Sequence, residues 1–181
     1  FNRSNFKTID YNLNPKDDNF IKNRKLYLQN IINNLDFVKL EIDNLSILLV
    51  PWINPENEKK TMAMIEQSRS SVVMGHLELH GFKVNDYVVM EHGTNTDPFA
   101  KFDRVYSGHF HTRSSQNNIH YLGSPYEMYW NDWNDTRGFH LFDTETLEHT
   151  PINNPYNIFE KVFYEDTPFQ TFDTRGFENK I

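Results

Sequence analysis

The chain of 181 residues contains no cysteine, which excludes a disulfide framework, a thiolate zinc site and a thiol nucleophile. Any metal it binds must be held by imidazole, carboxylate or amide groups. Long apolar runs are missing too. The longest, Ile47 to Ile53, contains Pro51 and is far short of the roughly 20 residues a membrane-spanning helix needs. From Phe1 to Asp10 no basic start leads into an apolar stretch, so no secretory signal is read, and a cytoplasmic location without membrane attachment is expected. Positive charge is scarce: 18 Lys and Arg face 25 Asp and Glu, a formal net charge of -7. That argues against a protein that holds nucleic acid by bulk charge, so a polyanionic substrate would need local help such as bound cations. What is present is a globular composition, 38% hydrophobic and 15% aromatic, in a length that can bury roughly 70% of the unfolded surface.

Along the chain, residues 1–36 read as an irregular lead-in, rich in Asn, Asp and Lys, followed by an amphipathic helix over 20–35, where Ile21, Leu28, Ile31, Ile32 and Leu35 recur at near-helical spacing. The sequence opens on Phe1 rather than Met, which suggests a start partway into a longer parent. Val38 to Ile42 and Ser46 to Trp52 predict two strands joined at Asp43 and Asn44 as a hairpin. Asn54, Pro55 and Glu56 have the order of an N-cap, an N1 proline and a first-turn acid, predicting a helix over 55–69. Strands are expected over Ser71–His76, Arg104–His109, Ile119–Gly123, Gly138–Phe142 and Ile158–Tyr164, with a short helical turn at Asp97 and Pro98. The mixture predicts an α/β layered domain with a strand-rich C-terminal side. The pentapeptide Asp-Thr-Arg-Gly-Phe occurs at 135–139 and 173–177 and reads as two similar turns leading into strands.

The informative pattern is an apolar strand ending in Gly-His. Val72-Val73-Met74-Gly75-His76 is one copy, and Val105-Tyr106-Ser107-Gly108-His109-Phe110-His111 is the other. Ligands of α/β sheets gather at the carboxyl ends of strands, and a Gly there lets the backbone turn closely. If the second segment is extended, His109 and His111 point the same way, so three imidazoles can converge with His76. A single His after a strand is more often a hydrogen-bonded structural residue, but a second strand-Gly-His copy shifts the balance toward ligands. His76 and His80 are four apart, yet Glu78 stands one place late for a zinc-protease helix, so that reading is rejected. His92, His120, His140 and His149 are read as exposed or locally bonded. Tyr126, Tyr129, Trp130 and Trp133 form an aromatic cluster without interleaved basic residues, which favours loop packing over base stacking.

Gly75-His76-Leu77-Glu78, Ser107-Gly108-His109-Phe110-His111 and Leu122-Gly123-Ser124-Pro125 stand in the order and approximate spacing of the later motifs of calcineurin-like metallophosphoesterases. The stretch from about Leu45 to Asp166, including Arg137-Gly138-Phe139 and Phe142-Asp143-Thr144-Glu145, more closely resembles the SbcD-type DNA nuclease subunits, among them the recombination endonuclease subunits of T-even-like bacteriophages. The resemblance implies a layered β-sandwich flanked by helices, of which residues 37–166 are the later part and 167–181 a tail. It implies that His76 and His109 bind one divalent cation and His111 a second, manganese being usual in the family. Two cations neutralise phosphate oxygens and stabilise the attacking and leaving oxygens of an in-line displacement. DNA as substrate, an SbcC-type ATPase as partner, a homodimer as a further option and a host-cytoplasmic location follow from the same likeness.

The family's early motifs, D-x-H, G-D and G-N-H-D, do not occur in the 181 residues. They supply the first metal's ligands, the bridging Asp and the catalytic His, so the catalytic residues are unassigned here and this stretch alone is expected to be inactive. Two other readings stay open: a calcineurin-like phosphoesterase acting on a small phosphodiester or a phosphoprotein, and a non-catalytic interaction module.

Overall fold

The computed structural model describes residues 39–85, 87–162, 174–178 and 180. The lead-in and the helix expected over 1–36 lie outside the described residues, as does most of the 167–181 tail. Among the described residues the fold is mixed α/β with a sheet-rich core. A six-stranded sheet has the order β1-β2-β3-β4-β6-β5, built from Lys39–Ile42 (β1), Leu45–Val50 (β2), Val72–Gly75 (β3), Arg104–Ser107 (β4), Ser114–Gln116 (β5) and Ile119–Tyr121 (β6). The four central strands β2, β3, β4 and β6 are parallel, and the edge strands β1 and β5 are antiparallel.

The expected β1-β2 hairpin forms because Asp43 and Asn44 adopt φ of 50° and 67°, left-handed values that Asp and Asn tolerate and that a two-residue hairpin turn requires. β2 is apolar on both sides: Leu48 and Val50 pack into one buried cluster with Ile65, Val73, Val105 and Phe99, while Leu45 and Ile47 join Val72 and Tyr106 in another. A strand buried on both faces belongs in the centre of a parallel sheet. The first cluster lies under helix α1, Glu58–Gln67, which buries Thr61 and Ile65.

That helix begins three residues later than the sequence predicts. The Asn54 side chain accepts from the amides of Glu56 and Asn57 at 2.9 and 3.2 Å, and the Asn57 side chain accepts from the Asn54 amide at 2.8 Å, closing a separate turn before the helix. At the other end the Lys101 ammonium donates to the carbonyls of Glu66 and Ser68, a cation where the helix dipole favours one. The turn at Asp97–Phe99 is a short 3-10 helix, as expected.

The opposite face of the sheet carries a hairpin of Gly138–Phe142 (β7) and His149–Asn153 (β8). Phe142 and Leu147 pack on the second cluster, and the Tyr106 hydroxyl donates to the Leu147 carbonyl at 2.8 Å. The sequence did not predict β5 or β8. Both are short and polar, and Pro151 in β8 sits where only an edge strand tolerates it. The strand expected over 158–164 is absent from 158 to 162. The amides of Ile158 and Phe159 donate instead to the buried Glu127 carboxylate at 2.6 and 2.8 Å, and residues 163 and 164 lie outside the described residues. The repeated pentapeptide also diverges: its first copy leads into β7, whereas Thr174–Phe177 is a 3-10 helix. No helix among the described residues is long and apolar enough to cross a membrane.

Three histidines fasten the hairpin to the sheet. His149 lies between His120 and His140, with ring centroids 5.0 and 5.1 Å away, and Tyr106 packs against both His120 and His149. His120 bonds Ser115 and His140 bonds the Leu122 carbonyl, in keeping with their reading as locally bonded. Burial depresses the pKa of all three; His149 and Arg104 depress it further at His120, His140, Arg104 and Arg113 do so at His149, and at His140 the lowering by Arg113 is opposed by the bond to the Leu122 carbonyl. Because the unfolded chain then binds protons more readily than the folded one, stability falls as pH drops from 7 through the ordinary histidine value of about 6.5, and levels off once the lowered native values are passed. Urea midpoints measured at pH 7.5, 6.5 and 5.5 should decrease in that order, and His149→Gln should flatten the dependence.

Candidate metal centre

The register aligns the ends of all four parallel strands. Val50 pairs with Gly75, Gly75 with Ser107, and Ser107 with Tyr121, so the residues that follow, including His76 and the Gly108-His109 pair, emerge along one carboxyl edge. Close approach requires glycine at 75 and leaves little room for a side chain at 108. A Cβ on Gly75 would lie 2.7 Å from the Val50 carbonyl oxygen, and one on Gly108 would lie 3.1 Å from Nδ1 of His76. The loop after β3 is tied to the neighbouring strands by buried hydroxyls. Ser107 Oγ accepts from the Leu77 amide at 2.8 Å, and the Tyr121 hydroxyl accepts from the Leu79 amide while donating to the Leu77 carbonyl. Burial raises the Tyr121 pKa, keeping that hydroxyl protonated and able to donate.

On this edge His76 and His109 meet edge to face, with ring centroids 5.1 Å apart. Partial loss of water and the second imidazole both lower the His76 pKa, which favours the neutral form that can bind a cation. Glu78, part of the Gly75-His76-Leu77-Glu78 motif but given no site role from sequence, puts Oε2 3.4 Å from His109 Nε2. Its signal was its position two residues after His76, on the same loop.

His111 does not follow His109 as a strand neighbour. β4 ends at Ser107 and His109 has φ 81°, so the segment is not extended and the alternation that would aim both rings one way does not apply. His111 turns instead to a polar cluster. Its ring lies on Tyr129 at 5.3 Å with an interplanar angle of 2°, and Nδ1 is 3.1 and 3.0 Å from the two oxygens of Asp132. Asp132 and Arg137 are both buried and paired, Arg137 also bridges to Asp135 and donates to the His111 carbonyl. Burial alone would raise the Asp132 pKa, but the amides of Met128 and Tyr129, His111 and Arg137 outweigh it and hold the carboxyl below the ordinary range. Asp132 and Arg137 were not singled out from sequence as site residues, because an isolated Asp in a loop carries no periodic signal.

The structure therefore brings His76 and His109 together with Glu78 and places His111 with Asp132. Among the described residues no group of three His, Asp or Glu side chains converges closely enough to hold a metal ion. The donor types, imidazole with carboxylate, are those that divalent transition metals take. His80 bonds the Glu91 carbonyl through Nδ1. Within the aromatic cluster, Trp130 packs on Phe159 and Trp133 takes the Lys161 ammonium over its ring, while Tyr126, Tyr129 and Trp130 remain about half exposed.

No family model matches the chain. Its sequence is 37% identical over 142 residues to exonuclease subunit 1 of Enterobacteria phage T4. The similarity is to a phage nuclease subunit. The aligned stretch makes up 77% of this chain and 40% of that relative, so the chain spans well under half of the relative's length.

The left-handed backbone at His109 gives a test of the local geometry that needs no ligand. A side chain at φ 81° costs about 1–2 kcal/mol that glycine avoids, offset in part by glycine's larger unfolded-state entropy. His109→Gly should therefore be more stable than His109→Ala by about 1 kcal/mol in urea denaturation, although both lose the imidazole.

Proposed function

We propose that this chain supplies the histidine ligands of a two-cation phosphodiesterase site acting on DNA, built on a metallophosphoesterase-type layered fold. The observation that carries the reading is the meeting of His76 and His109 at the ends of adjacent parallel strands, in a sequence 37% identical over 142 residues to a phage exonuclease subunit. His76 and His109 would hold one cation and His111 the other, with manganese the metal that the resemblance implies and that mixed imidazole and carboxylate donors can accept. When bound, the cations would supply Lewis-acid stabilisation of charge on a phosphate ester.

The chain's own residues prepare that site. Neutral His76 is ready to donate a lone pair, the left-handed turn aims the His109 ring at His76 and Glu78, and Tyr129 limits rotation of His111. The hydroxyls of Ser107 and Tyr121 keep the loop from His76 to Leu79 from drifting. Bridging carboxylates of the D-x-H, G-D and G-N-H-D type are not among these residues, so the proposal leaves the remaining ligands to other sequence. With a net charge of -7, grip on a long duplex would come from a partner, an SbcC-type ATPase in the host cytoplasm. That the relative is named as a subunit supports this arrangement.

The test is manganese-dependent hydrolysis of linear duplex DNA by the protein that carries this chain. His76→Ala, His109→Ala and His111→Ala should each cut the rate by more than the roughly 10–100-fold typical of losing an outer-shell partner, and His80→Ala should leave it unchanged. Equal rates in all four variants would refute the ligand assignment.

A further inference from the structure

We propose that Asp132 is a positioning residue that sets the tautomer of His111, leaving its Nε2 with the lone pair that a cation needs; this rests on the reading of His111 as a cation ligand. Asp132 is 2% exposed and fully engaged. Its Oδ2 accepts from the amides of Met128 and Tyr129 at 2.8 and 3.0 Å. Its Oδ1 faces Arg137 Nη2 at 3.3 Å, and both oxygens face His111 Nδ1 at 3.1 and 3.0 Å.

An ionised carboxylate can only accept. Two backbone amides and the Arg137 guanidinium already aim N–H groups at Asp132, the surroundings of an ionised carboxylate, so His111 Nδ1 is the donor and the ring proton belongs there. In the neutral imidazole Nε2 is then the acceptor. This is the arrangement by which a carboxylate fixes the orientation and raises the basicity of a metal-binding histidine. The rest of the cluster fixes the other degrees of freedom. Tyr129 sets the plane of the ring, and Arg137 grips the His111 carbonyl while pairing with Asp132 and Asp135. Thr112 donates to Asp135 at 3.0 Å, tying the residue after His111 into the same cluster.

Asp132→Asn separates positioning from mere packing. Its single carbonyl oxygen is claimed by the two backbone amides, which leaves the NH2 group facing His111 Nδ1. The NH2 group then donates toward Nδ1 from the Oδ1 position and the charge that held a proton on Nδ1 is gone, so the ring proton shifts toward Nε2, closed to a cation, even though the retained oxygen stays 3.0 Å from Nδ1. In nitrogen-15 NMR of histidine-labelled, metal-free protein, wild-type His111 should show the Nδ1–H form and Asp132→Asn the Nε2–H form. Manganese affinity, measured by calorimetry on the protein that carries this chain, should fall about 10–100-fold in the variant. A wild-type Nε2–H signal overturns the proposal even if the variant fails to fold, and so does an unchanged tautomer in a folded variant. His111→Ala distinguishes the two levels of the argument. If it weakens manganese binding and Asp132→Asn does not, the role of Asp132 falls and the ligand stands; if His111→Ala binds manganese as tightly as wild type, the ligand reading itself falls.

Discussion

The parallel ladder of β2, β3, β4 and β6 decides where His76 and His109 can stand. Its register places Val50, Gly75, Ser107 and Tyr121 side by side, so two strands of separate sequence stop at the same edge, one followed by His76 and the other by Gly108 and His109. A shift of one residue in either pairing would send the apolar side chains of that strand to the opposite face. The two buried clusters, one beneath helix α1 and one beneath the β7-β8 hairpin, hold the register against such a slip. The chemistry at the edge is thus fixed by the same burial that stabilises the fold.

Past the edge, control passes from apolar packing to buried polar groups. Ser107 and Tyr121 satisfy the amides of Leu77 and Leu79 from within the sheet, so the loop bearing Glu78 is held by hydrogen bonds that bulk water does not contest. Asp132 and Arg137 do the same for His111 on a different loop. Buried polar groups left unpaired are costly, which makes each cluster stable only when complete. The candidate donors, His76 with His109 on one loop set and His111 on another, are therefore positioned by independent devices.

Much of this was legible in the sequence where burial writes a simple pattern. Continuous apolar strands ending in Gly-His marked β3 and β4, and Asp43-Asn44 marked the hairpin turn. The parts that were not legible depend on partners distant in sequence. β5 and β8 are polar edge strands that exist because β6 and β7 offer them a ladder. Residues 158 and 159 resembled a strand but give their amides to Glu127. The expectation that His109 and His111 point together failed because strand alternation stops at Ser107 and His109 takes a left-handed turn. Asp132 is recognisable only when Met128, Tyr129, His111 and Arg137 are seen around it.

The central claim is that His76 and His109, brought together by the sheet, bind a divalent cation through their ring nitrogens. Pulsed EPR of manganese bound to the protein that carries this chain, with histidine labelled in nitrogen-15, addresses it directly. The account predicts hyperfine coupling from directly bonded imidazole nitrogens, reduced when either His76 or His109 is replaced by alanine. Manganese bound through oxygen alone, with no nitrogen coupling in the wild-type protein, would contradict it.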